Sequence, residues 1–210
     1  MGLYEKHVLP RLIHLACRQA TIEEQRERVV PRARGRVLEI GIGSGLNLPH
    51  YVGPAVERVW GLDPSRPLLR RAADAAGDST APASVPTSFL QGRAEAIPLP
   101  GGSVDTVVMT WTLCSIDEPG AALREIRRIL APDGRLFFAE HGRAPEEGVR
   151  AWQRRLTPLW KRFSGGCHLD RAMPDLIREA GFELEEVDAH YLDGAPRFAG
   201  YNYRGVAAPG

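Results

Sequence analysis

A short apolar run that ends in glycines at every second position constrains this chain more than any other stretch. From Arg36 to Asn47 it reads Arg-Val-Leu-Glu-Ile-Gly-Ile-Gly-Ser-Gly-Leu-Asn. Val37, Leu38 and Ile40 are apolar and partly β-branched, which suits a buried strand. Gly41, Gly43 and Gly45 follow, and residues without Cβ accept φ > 0 and let a backbone come close to a bound molecule. Residues that then open a helix offer free N–H groups to an anion. The expectation is a strand, a glycine turn and a ligand cradle at the strand's carboxyl end.

The spacing narrows the ligand. A dinucleotide fingerprint is G-x-G-x-x-G, and Leu46 stands where its third glycine would be, which weakens a nicotinamide reading. Glu39 sits just inside the strand end, where a carboxylate can meet an ammonium. Asp63 ends the next apolar segment, Val59 to Leu62, and places a second carboxylate near a ribose. An acid pair around a glycine turn, without a Lys-Ser/Thr phosphate signature, suits a ligand with an amino acid head and a nucleoside tail. S-adenosylmethionine is such a ligand.

Glu-x-Gly-x-Gly-x-Gly followed by Gly61-Leu62-Asp63-Pro64-Ser65 resembles the class I S-adenosylmethionine-dependent methyltransferases. The resemblance implies cofactor contacts at Glu39, Gly41, Gly43, Gly45, Asn47, Asp63, Pro64 and Ser65, and at Thr110 and Leu113 further on. Gly92-Arg93-Ala94-Glu95-Ala96-Ile97-Pro98-Leu99-Pro100 resembles the family's D/E-A-x-x-L-P stretch, where Ala94 and either Glu95 or Arg93 would meet the adenine. Arg93 departs from that pattern, because the family carries an acid before the alanine.

With 210 residues, 43% hydrophobic and 25% charged, the chain is long enough for one well-buried domain, and one is expected over residues 1–210. The formal charge is only +1, which gives no pull toward nucleic acid. Cys17, Cys114 and Cys167 are odd in number and lack C-x-x-C spacing, which fits a reducing, cytoplasmic setting and speaks against a disulfide framework or a zinc knuckle. Cys167, His168 and Asp170 lie close in sequence, with Cys114 in reach, yet no metal site is expected from that spacing. Glu5, Lys6, Pro10, Arg11 and His14 break any leading apolar run, so neither a secretory signal nor a membrane span is expected. Peripheral lipid contact remains open, and the chain is expected to be a monomer or a homodimer.

In order along the chain, Val8, Leu9, Leu12, Ile13, Ala16 and Cys17 recur at helical spacing, and a second helix follows with a Thr21/Glu24 capping box and an end near Val30. Residues 1–31 are thus read as two helices. In the resembled family such helices close over the cofactor, with an aromatic such as Tyr4 or a basic residue near it; the alternative is a helix packed on the sheet or resting on lipid. Strands are expected over Glu57–Leu62, Thr87–Gln91, Val104–Thr110 and Arg135–Ala139. Helices are expected over Pro64–Ala76 and from an Asp117 N-cap to Leu130, with a Gly77–Pro86 loop. Alternation of this kind makes an α/β, Rossmann-like, mostly parallel sheet with helices on both faces. The resemblance adds a seventh, antiparallel strand, and Glu183–Leu192 and Phe198–Val206 are read as the last two.

At the carboxyl rim, His141 after the fifth strand is the first choice of catalytic base. Trp152, Leu156, Leu159, Trp160 and Phe163 form an apolar helical face interrupted by Pro158, and with Leu113 and the Gly165-Gly166 turn they are expected to wall a small apolar pocket. Leu113-Cys114-Ser115, Glu140-His141, Leu156-Thr157-Pro158-Leu159-Trp160 and Gly166-Cys167-His168-Leu169-x-Arg171 resemble the methyltransferase-like thiol methyltransferases. That resemblance implies a thiol or hydrogen sulfide as methyl acceptor, with Tyr4, Cys114, Trp152, Trp160, Cys167 and His168 on the substrate side. Its animal members carry an N-terminal membrane anchor, which is not expected here. Methylation of a lipid amine or of a quinone-like or phenolic ring, and a cofactor-binding regulator without an acceptor, are the other readings.

Overall fold

The computed structural model describes residues 17–77 and 85–210; Tyr4, the first expected helix and most of the Gly77–Pro86 loop lie outside the described residues. Seven strands form one sheet: β1 (Gly35–Ile40), β2 (Val56–Asp63), β3 (Thr87–Gln91), β4 (Val104–Thr110), β5 (Leu130–His141), β6 (Phe182–Tyr191) and β7 (Tyr201–Pro209). Their order is β3-β2-β1-β4-β5-β7-β6. β1 to β5 pair in parallel, whereas β7 runs antiparallel to both β5 and β6.

Alternation along the strands divides the core in two, because successive side chains leave opposite faces. Leu38, Ile40, Val107, Met109, Leu136 and Phe138 pack on one face, where Leu123, Ile126 and Ile129 of α3 (Pro119–Ile129) and Met173 and Ile177 of α5 (Met173–Glu179) cover them. Val37, Val59 and Val108 lie on the other face with Val30, Tyr51 and Val56, beside Val29, Phe137, Ala139 and Val206. Each large side chain so buried contributes about 1.5–3 kcal/mol. Strands this rich in Val, Ile, Leu and Phe are stable only when covered on both faces, as here. α2 (Arg66–Gly77) and α4 (Glu147–Phe163) complete the main helices, with α1 at Ala20–Val29.

Several boundaries differ from the sequence reading. α1 begins at Ala20 behind Gln19, without a side-chain cap, so the Thr21/Glu24 box does not form; Glu24 pairs with Arg28 instead. Glu118, not Asp117, precedes α3, and Asp117 is drawn off by Arg93. β5 starts at Leu130, with the Pro132-Asp133-Gly134 turn absorbed as a register irregularity against β4. Phe198 lies in a helical turn, Arg197–Gly200, and β7 begins only at Tyr201. α4 runs unbroken through Pro158.

Candidate functional site

Backbone conformation defines the cradle. Gly43 has φ +58, and a Cβ there would meet nothing nearer than the Gly41 carbonyl oxygen at 3.8 Å, so the space beside it is open. Gly41 (φ +68) differs, because a Cβ would run into Thr112 Oγ1 and Cγ2; the glycine loop and the segment after β4 touch here. Asp63 fixes the loop from the end of β2. Gly43 N–H donates to its Oδ2 (3.0 Å) and Ser65 N–H to its Oδ1 (2.7 Å), and it is buried. Burial pushes the Asp63 carboxyl up, against the pull of these two amides.

Glu39 faces the loop from beneath rather than open space. Asn47 Nδ2 donates to its Oε1 (3.0 Å) and Tyr51 Oη to its Oε2 (2.7 Å). Asn47 Nδ2 also donates to Thr110 Oγ1 (3.0 Å), while the buried Asn47 Oδ1 has no partner among the described residues. Burial pushes Glu39 from an ordinary value of 4.5 up to about 7, against the lowering by Tyr51 and Asn47. In that window the folded chain keeps a proton that the unfolded chain releases, so stability falls as pH rises from about 4.5 to 7, by up to ~3 kcal/mol. Glu39→Gln mimics the neutral form and is expected to flatten this part of the pH dependence in denaturant titrations at pH 5 and pH 8. An unchanged slope in the variant would remove Glu39 as its source.

In the stretch expected to meet the adenine, Ala94 is buried, and Arg93 is exposed and bound to Glu95 (3.0 Å) and Asp117 (2.7 Å). Arg93 therefore ties two loops together. Ser65 and Pro64 open α2, where the Ser65 carbonyl accepts from Leu68 and Leu69 N–H.

The rim beyond β4 is shaped by Glu140, which the sequence reading named beside His141 without assigning it a role. Glu140 is fully buried and accepts from three successive backbone amides: Thr112 (2.7 Å) and Leu113 (2.9 Å) at Oε1, Cys114 (3.3 Å) at Oε2. Trp111, which leads into this turn, has φ 49, a conformation non-glycine residues rarely adopt, and its Nε1 donates to Asn202 Oδ1 (3.0 Å). Arg171 donates to the Leu113 carbonyl. Leu113 itself is fully buried in the core, so it offers backbone to the site and not the apolar wall expected of it.

Three soft donors meet at this rim. His141 Nε2 lies 2.7 Å from Cys167 Sγ, and the Cys114 and Cys167 sulfurs and a His141 ring nitrogen are all within 4.8 Å of one another. His168 and Asp170 are Cys167's neighbours in sequence, but it is His141 that completes the group. His168 N–H donates to the Cys114 carbonyl (2.9 Å), and Asp170 accepts from Thr157 Oγ1 (3.3 Å). Hydrogen bonding with Cys114, and then with His141, holds the Cys167 thiol well below the usual thiol range, while the same bond and burial push Cys114 up. Burial acts to lower His141, but Cys167 and Glu140 outweigh it and the net shift is upward.

The aromatic wall is only half formed. Trp160 packs edge-on against Phe198, whereas Trp152 is 58% exposed and points to solvent with Leu159 and Phe163. The apolar spacing is right for one helical face, but that face is the outer one. α1 is a packed helix: Val29 joins the Phe137 cluster, Gln25 accepts from Arg204 (2.6 Å), and buried Arg26 stacks over the Trp111 ring at 5.1 Å. Arg26 also donates to the Cys17 carbonyl (2.7 Å), which holds Cys17 beside α1. A hollow of about 480 Å³ lined by Arg28, Arg32, Glu186, Asp188 and Arg204 lies elsewhere, its charges paired.

The sheet order, with its reversed β7, is that of the class I, Rossmann-like methyltransferase fold, whose cofactor is S-adenosylmethionine. Three features of the chain fit that molecule: the open space at Gly43, the buried Asp63 carboxylate at the end of β2, and the unpartnered Asn47 Oδ1, an acceptor suited to an ammonium. Residues 38–138 match the family described as methyltransferase domain, and the chain belongs with the S-adenosylmethionine-dependent methyltransferases. It is 35% identical over 159 residues to human (Homo sapiens) thiol S-methyltransferase TMT1B, covering 74% of this chain and 64% of that protein. The rat (Rattus norvegicus) protein of the same name is 34% identical over 155 residues, covering 72% and 62%. The chain thus spans a little under two thirds of these relatives' length. Among solved structures, a SAM-dependent methyltransferase from Methanosarcina mazei superposes with a TM-score of 0.66 at 21% identity, covering 83% of this chain and 92% of that one, which speaks to the fold. No helix among the described residues is long and apolar enough to cross a membrane.

Proposed function

We propose that this chain transfers the methyl group of S-adenosylmethionine to a small apolar thiol or to hydrogen sulfide. The observation that carries the proposal is the joining of two sites through Thr112: the open glycine loop on one side and the Cys114, His141, Cys167 rim on the other. The cofactor supplies an activated methyl on a sulfonium, so the protein's part is to align an acceptor and exclude water. Gly41, Gly43 and Asp63 hold the cofactor end. Glu140 fixes residues 112 to 114 between the two ends, and because it and Arg171 are both engaged by backbone groups, neither stands ready to bind a charged acceptor.

His141 takes a different place from that of a free base. Its Nε2 contacts Cys167, so the two side chains act as a pair on the acceptor side. The thiol specificity named for the rat and human relatives supports the same acceptor class. A screen of small alkyl thiols, sulfide, amines, a phenol and phosphatidylethanolamine vesicles for S-adenosylhomocysteine formation tests the reading. Product with thiols or sulfide is expected. Product only with the amine, lipid or phenol would overturn the thiol acceptor, and cofactor binding without product from any of them would point to a regulator.

A further inference from the structure

Cys114, His141 and Cys167 reach one point from three separate elements, and each is fixed there by its own backbone. Cys114 is held by Glu140 at its N–H and by His168 N–H at its carbonyl. His141 ends β5 in register with Asn202 of β7. Cys167 follows the Gly165-Gly166 turn and is 8% exposed, against 2% for Cys114. We propose that Cys114 Sγ, His141 Nε2 and Cys167 Sγ form a site for a soft divalent cation, zinc first, whose fourth position receives the acceptor sulfur.

The donor set selects the ion. Two thiolates and an imidazole suit zinc, which takes four tetrahedral ligands and in catalytic sites keeps one position for water or substrate. With Zn–S of about 2.3 Å and Zn–N of about 2.0 Å, donors on one zinc stand roughly 3.5–3.8 Å apart. All three donors already lie within 4.8 Å of one another, and the His141–Cys167 contact at 2.7 Å has only to open by a fraction of a side-chain rotation. Zinc would make two thiolates and its own two positive charges neutral in sum, which suits a buried place.

The second half of the proposal rests on the thiol reading above. A thiol that coordinates zinc gives up its proton to solvent. Its sulfur lone pair then forms the new S–CH3 bond as the sulfonium S–CH3 bond breaks, and the released pair neutralises the departing sulfur. No base is needed in this step, which accounts for His141 being turned toward Cys167.

The test uses the whole chain, reduced and free of metal, titrated with Co(II) in the absence of oxygen. A thiolate-to-cobalt charge-transfer band and the intense visible bands of tetrahedral cobalt should rise to about one cobalt per chain, and ethanethiol should shift them. Cys114→Ser and Cys167→Ser, checked for folding by circular dichroism, should weaken cobalt binding at least ~100-fold. Absence of the tetrahedral spectrum in the parent chain, or formation of a Cys114–Cys167 disulfide in place of metal uptake, would overturn the site. Thiol methylation that survives metal removal would overturn the zinc step while leaving the thiol acceptor standing. A cobalt spectrum that ethanethiol does not shift, with product only from an amine or phenol, would remove the thiol acceptor and leave the cation site.

Discussion

Alanine in place of Glu140 is expected to lower the melting temperature by about 8–16 °C, the equivalent of ~4 kcal/mol in a domain of this size. The carboxylate accepts from three consecutive amides and is fully buried, so its removal leaves three N–H groups without partners where water does not reach. One buried unsatisfied donor costs about 1–3 kcal/mol, and the three are too close together for their costs to add in full. Glu140→Gln keeps the volume and one carbonyl oxygen for Thr112 and Leu113 but turns an amide N–H toward Cys114, and about half the loss is expected. Thermal unfolding followed by circular dichroism gives both values. A Glu140→Ala protein melting within ~3 °C of the parent would show that the segment after β4 does not depend on this carboxylate.

Valine at Gly43 should cost at least ~100-fold in S-adenosylmethionine affinity, with only ~1–3 kcal/mol of stability. The stability part arises because a β-branched residue must be forced to φ +58. The larger, binding part arises because its side chain would enter the space that the protein leaves open beside the loop. Gly45→Ala provides the contrast: its Cβ would meet Leu48 Cδ1 at 2.8 Å and Ala72 Cα at 3.2 Å, inside the protein, so stability should suffer more than affinity. Calorimetric affinity for Gly43→Val within tenfold of the parent would refute the close approach of a ligand to this turn.

What was legible in the sequence is what local pattern encodes. β-branched runs such as Val104–Thr110 show themselves as buried parallel strands, and glycines at 41, 43 and 45 announce a turn that other residues cannot make. Glu140 was silent, because a glutamate at a strand end looks the same whether it faces water or three amides; only the folding of residues 112 to 114 over it tells the two apart. His141 and Cys167 are 26 residues apart and meet through tertiary structure alone. Trp152 shows a further limit: spacing identifies an apolar face, but which way the helix rolls is settled by the buried Gln153 and Thr157 on its inner side. Gln153 donates to the Gly142 carbonyl (3.0 Å) and accepts from Ala144 N–H (3.0 Å), so hydrogen bonds and not hydrophobicity orient α4. Arg26 was missed likewise, since a buried arginine is legible only once Trp111 and the Cys17 carbonyl are seen around it.

The position of β7 has a consequence for the order in which the molecule can be made. β7 follows β6 in the chain yet lies between β5 and β6 in the sheet. During synthesis, at roughly 5–20 residues per second, β6 emerges with no strand to pair with, and the open edge of β5, carrying Phe137 and Phe138, waits with it. Local pairing through β1 to β5 can proceed meanwhile, but the sheet closes only when Tyr201–Pro209 slides into the gap and satisfies both neighbours at once. For the seconds before that, the nascent chain presents two unpaired strand edges, the feature that invites association with other chains. Its need for a chaperone should therefore be concentrated in the interval before β7 joins the sheet.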